Sequence, residues 1–179
     1  MKNYFKRTFY IFFLFLLTAG SAQAGTSLYD AYSRQREVKI YVHEPARQEG
    51  VRELPLQDLR QSVMDALKNR KSIRFVIVDS AVDAQLTVEV QVKGYHFSET
   101  DPLDMLMGVG PAAMDAAKQD HFASMETRFV VKKNGSEVVW DEIVRGSVTD
   151  ATMTEPQSYP KVFEKSEVMF VRQAFGKKR

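Results

Sequence analysis

The chain has no cysteine at all, so disulfide staples, thiol nucleophiles and a lipid-attachment cysteine are excluded together. It has three histidines and one tryptophan in 179 residues. His43, His96 and His121 form neither an H-x-x-x-H nor an H-E-x-x-H spacing, so no local metal motif exists. An excess of either charge is missing as well, with 25 Lys and Arg against 23 Asp and Glu. Three of those basic residues, Lys2, Lys6 and Arg7, sit in the first 24 positions with no acidic residue among them. Without them the formal charge falls from +2 to −1, and nothing basic is left to suggest nucleic acid.

Those basic residues precede an apolar run from Phe9 to Leu17 and a small-residue end, Ala22-Gln-Ala24. This order predicts a secretory signal cleaved after Ala24. The run is about half the ~20 residues that a bilayer span requires. The expected product is a periplasmic, unlipidated chain: a flexible leader over 25–36, one α+β domain over 37–175, and a basic tail over 176–179.

Within the domain, Val38–Val42 alternates and stops before Pro45, predicting a strand. Leu56, Leu59, Val63, Ala66 and Leu67 recur at helical spacing, predicting a surface helix to about Arg70. Arg74–Val78 is a short apolar run of the kind found in central strands. Ala84, Leu86, Val88, Val90 and Val92 alternate strictly with polar residues, so one face is buried and the other wet. Met125–Lys132 and Val138–Val144 flank Asn134-Gly135, a strong hairpin signal. Ser158–Phe175 carries an aromatic helical stripe. The predicted order is β-α-β-β-(insert)-β-β-α, a two-layer sandwich with a mostly antiparallel, mixed sheet and two helices on one face.

The insertion over 102–119 holds Gly108-Val-Gly-Pro-Ala-Ala113, which matches G-x-G-x-x-A. A dinucleotide site needs that turn directly off a buried parallel strand and a helix whose amides face the phosphates. Here about ten residues intervene, and Pro111 removes an amide at the helix start. No nucleotide, and no other cofactor, is expected. The insertion reads in two ways. It packs back on the sheet, or Leu103, Met105, Leu106, Met107 and Val109 form an adaptable apolar patch for a protein partner or a membrane surface. No G-x-S-x-G elbow or calcium loop occurs, and Asp141 and Glu142 point to opposite faces of one strand.

The strand entry "DAQLTVEVQVKGY", the Asn-Gly hairpin holding "EVVWDEIVRG" and the terminal helix together resemble bacterial envelope accessory domains of the TolB amino-terminal and CsgG-like type. Gly135 and Trp140 stand roughly where those families place a Gly-x-x-x-Trp feature. That resemblance implies a non-enzymatic envelope protein that binds other envelope proteins, with no catalytic residues. The alternative reading is a periplasmic binder of a small apolar or lipid-like ligand, in a pocket lined by Trp140, Tyr159, Phe163 and Phe170.

Overall fold

The structure is a computed structural model that describes residues 27–98 and 121–177. The insertion, with Leu103, Met105, Leu106, Met107 and Val109, lies outside the described residues, as does the signal segment. The elements are α1 (Tyr29–Tyr32), β1 (Val38–Val42), β2 (Ala46–Arg47), α2 (Leu56–Lys68), β3 (Phe75–Ile77), β4 (Leu86–Ser98), β5 (His121–Lys133), β6 (Glu137–Asp150) and α3 (Glu155–Phe175). They form an α+β two-layer sandwich. Its mixed sheet has the order β3-β1-β4-β5-β6, with the short β2 alongside β4.

The two halves of the sheet follow from how the chain returns. Helical and irregular crossovers connect β1 to β3 and β3 to β4, and the β1–β3 and β1–β4 pairings are parallel. The β5–β6 connection is the tight three-residue turn Asn134-Gly135-Ser136, where Asn134 and Gly135, the pair singled out by sequence, both take positive φ (50° and 78°), and that pairing is antiparallel. The β4–β5 pairing is antiparallel too.

The alternation of β4 decides what is buried. Leu86, Val88, Val90 and Val92 face α2 and α3 and are shielded from solvent, beside Val38, Ile40 and Val42 of β1. A bulge between Val92 and Gly94 then shifts the register. It turns Tyr95 toward α3, where its hydroxyl lies 2.6 Å from Ser158 Oγ. From α2, Leu59, Val63 and Leu67 complete the layer, as their spacing predicted. At the start of α3, Gln157 Oε1 accepts a 2.9 Å hydrogen bond from the Thr154 amide, tying down one otherwise unpaired donor.

Two expectations change. Arg74–Val78 reads as a central strand, yet β3 stands at the sheet edge. Its apolar character comes from the helix layer, since Phe75 packs edge-on against Phe175 at 4.9 Å. The other change is at the leader. Leu28 and Tyr32 belong to the core, and the Leu28 amide donates to Ala174 O at 2.6 Å. One turn with two apolar residues is too short to show a period, so this segment reads as aperiodic.

Candidate functional site

The helix-covered face of the sheet is filled. Phe170 stacks on Phe129 at 4.4 Å and meets Trp140 at 5.5 Å and Phe175 at 6.0 Å. Trp140, Phe163 and Phe170 are buried, and Tyr159 lies partly buried between Tyr95 and Phe163. The four residues read as walls of a ligand pocket are therefore core side chains in contact with other rings. Aromatic rings at helical spacing satisfy either role in sequence, and only the packing separates them.

The histidines are kept apart. His43 lies edge-on to Tyr41, His96 faces Phe122, and His121 faces Phe97. The register pairs His96 with Ser124, while His121 belongs to the opposite face of β5 by alternation. Among the described residues, no group of His, Asp and Glu is arranged to hold a metal ion.

A groove of about 510 Å³ runs between α2 and α3, lined in part by Ser62, Asp65, Arg70, Glu164, Glu167 and Arg172. Glu167 is only 7% exposed there and accepts a hydrogen bond from Ser62 Oγ. Burial raises its pKa above the usual carboxylate value. Ser62 offsets part of that rise, and the negative charges of Glu164 and Asp65 add to it.

The other face of the sheet is open and carries rungs of paired charge. Lys132 Nζ reaches Glu89 at 2.5 Å, and Arg145 pairs with Glu126. Arg128 binds Asp141 through two parallel bonds, Nε at 2.7 Å and Nη2 at 2.5 Å. Those bonds are the main reason that the Asp141 pKa is lowered and the Arg128 pKa raised.

The outermost strand of this face is β6. It is 14 residues long and, among the described residues, pairs with β5 on one side only, at an end of the sheet. Val138 is 49% and Ile143 59% exposed on it, unusual values for β-branched apolar side chains. Asp141, Ile143 and Arg145 alternate with buried Trp140 and Val144, so all three share the open face. Sequence reading places Val138–Val144 in a strand but gives it no role, because edge position is a property of topology. Two runs of adjacent apolar residues that break strict alternation, Val138-Val139-Trp140 and Ile143-Val144, are the faint signal available.

No protein-family model and no curated protein matches the chain. Solved structures match it at the level of fold. PelC from Paraburkholderia phytofirmans, solved as a dodecamer, superposes with a TM-score of 0.50 at 13% identity, covering 84% of this chain and 94% of that one. The protein XCC0632 from Xanthomonas campestris, assigned to DUF330, gives 0.48 at 13% identity over 79% and 84%. Lipoprotein GNA1162 from Neisseria meningitidis gives 0.42 at 7% identity over 66% and 88%. All three are proteins of Gram-negative bacteria. At these identities the likeness is one of fold.

Proposed function

We propose that this chain is an exported, non-enzymatic accessory protein of the bacterial envelope, which works by binding other proteins. The observation that carries the reading is β6: a long edge strand, open on its outer side among the described residues, presenting Val138 and Ile143 to solvent. Soluble domains usually blunt such an edge or cover it. A core filled by its own aromatic rings supports the same reading over a ligand-binding one.

The order of basic residues, apolar run and Ala22-Gln-Ala24 at the start of the chain, with the absence of cysteine, supports a periplasmic, unlipidated product. The finer likeness to TolB amino-terminal and CsgG-like domains belongs to this proposal too. So does the contact assigned from sequence to Leu103, Met105, Leu106, Met107 and Val109. PelC, whose fold this chain shares, was solved as a dodecamer, which adds copies of the chain itself to the candidate partners.

The test is photo-crosslinking in intact cells, with a photoreactive residue at Val138 or Ile143 and, as control, at Val82, which is exposed on the 3₁₀ turn Ala81–Asp83. Adducts from the two strand positions in the envelope fraction, with none from Val82, are expected. A chain retained in the cytoplasm, or no adduct at any of the positions together with the same partners recovered by the intact chain and by one lacking 103–110, would overturn the reading.

A further inference from the structure

We propose that β6 is a self-pairing edge: two copies of this chain join antiparallel about Ile143, extending one sheet across both. The inference rests on the reading of the protein as one that works through protein contacts, and it assigns the surface and the occupant.

The side chains of β6 select both the partner and the register. In an antiparallel pair, directly opposite residues share a face, with Cβ atoms about 5 Å apart. Centring the pair on Ile143 sets Ile143 against the second copy's Ile143, and Asp141 against the second copy's Arg145. Both ion-pairing rungs then flank an apolar centre on the open face.

Other registers are worse. Centring on Asp141 opposes two aspartates, centring on Glu142 opposes two glutamates, and centring on Arg145 opposes two arginines; like charges directly opposite are destabilising. A centre at Val144 sets Ile143 against arginine and Asp141 against Ser147, losing both matches. The Ile143 centre alone joins apolar to apolar and acid to base.

The charges are already positioned for it. Asp141 is held by Arg128, and Arg145 by Glu126, so neither needs to be reoriented from free solution. On the helix side, Trp140 would lie against the second copy's Gly146, a bulky residue against one without a side chain. The register irregularity between Val131 and Lys132, opposite Val138–Trp140, bends the start of β6. Straight pairing is thereby confined to about residues 140–146 of each copy.

The absence of cysteine makes this register directly readable, since one introduced thiol can only find itself in another copy. The full chain, exported with its own leader, is purified and its mass measured in solution across micromolar concentrations. Single variants Ile143→Cys and Val168→Cys, the latter exposed on α3, are then oxidised mildly. Dimers or larger even assemblies are expected for the native chain, with near-complete disulfide linkage at position 143 and little at 168. Mixing Asp141→Cys with Arg145→Cys should give mixed disulfides in excess of those from either alone, and Ile143→Lys should yield monomer with an unchanged circular dichroism spectrum.

A native chain that is monomeric throughout overturns the pairing. So does an oligomer that links at 168 and not at 143, or one that Ile143→Lys leaves intact. In each of these cases the envelope reading stands or falls separately, on whether Val138 and Ile143 adducts contain other proteins.

Discussion

Glu167 shows at the scale of one residue how burial converts into pH dependence. Its carboxyl sits under α2, where it accepts a hydrogen bond from Ser62 and where Glu164 and Asp65 add like charge. Its folded pKa is therefore above the ordinary value of 4.5, so the folded state holds this proton more tightly than the unfolded chain does. Where the folded state binds more protons, stability falls as pH rises. The contribution of Glu167 is thus fully present below about pH 4.5 and is lost as pH climbs through its raised folded value. Asp150 works with the opposite sign. Lys161 and Thr152 hold its pKa down to about 2, so its contribution is present above the ordinary value of 3.8 and is lost as pH falls toward 2. Glu167→Gln keeps an acceptor for Ser62 and removes the charge. The variant should melt higher than the native chain at pH 7 and converge with it near pH 4, as followed by thermal denaturation across that range. A variant that melts lower at pH 7 would mean that the carboxylate is stabilising and the burial argument is wrong.

At the scale of elements, the contact that sets the α3–β6 distance is a glycine. A Cβ built at Gly146 would collide with Ser166 Oγ and lie 2.7 Å from Val162 O, so the helix backbone can approach the strand only because no side chain stands there. Gly146→Ala should force α3 outward and destabilise the fold by about 1–3 kcal/mol, the range for overpacked interiors. Denaturant unfolding checks this, and Ser166→Ala in the same background should recover part of the loss by removing the nearest atom. No loss in Gly146→Ala would show that the helix shifts freely. This pair was invisible in sequence, because a glycine in a strand reads only as a weak position. The amphipathic elements were legible: β4 by alternation, α2 by the stripe Leu59-Val63-Leu67, the hairpin by Asn134-Gly135. Their extents were not. β6 runs to Asp150 where its pattern suggests Val144: burial goes on alternating through Arg145–Asp150, but the inward positions there are Gly146, Val148 and Asp150, so residue type no longer follows the alternation. The candidate site was the least legible part. Val138 and Ile143 look like ordinary strand residues until the strand order puts β6 outside, whereas Trp140, Phe163 and Phe170 look like a pocket until their rings are seen to fill it.

Across the whole molecule, the segment read as a leader is what closes the domain. Ser27 Oγ donates to Gly176 O, the Leu28 amide donates to Ala174 O, and Leu28 and Tyr32 enter the core, so the start of the described chain is clipped to the end of α3. Arg70 adds a second tie, its Nη2 donating to Phe175 O at 3.2 Å from the end of α2. The last turn of a helix otherwise leaves carbonyls without partners, and here they are met by residues more than a hundred positions away. Signal cleavage after Ala24 would fall just ahead of this clip and leave it whole. A chain beginning at Glu37 would lose two buried side chains and the carbonyl partners together. Fully burying a large apolar side chain is worth roughly 1.5–3 kcal/mol, so a net loss of about 3 kcal/mol is expected after the recovered chain entropy. For a domain of this size that corresponds to a melting temperature lower by roughly 6–12 °C than that of a chain beginning at Gly25. The substitution Leu28→Ala in the longer chain should reproduce about half of the drop, which separates lost packing from a general effect of truncation. If the two chains melt within about 2 °C of each other, residues 27–36 contribute nothing to the fold, and the domain begins at β1 as its sequence pattern suggests.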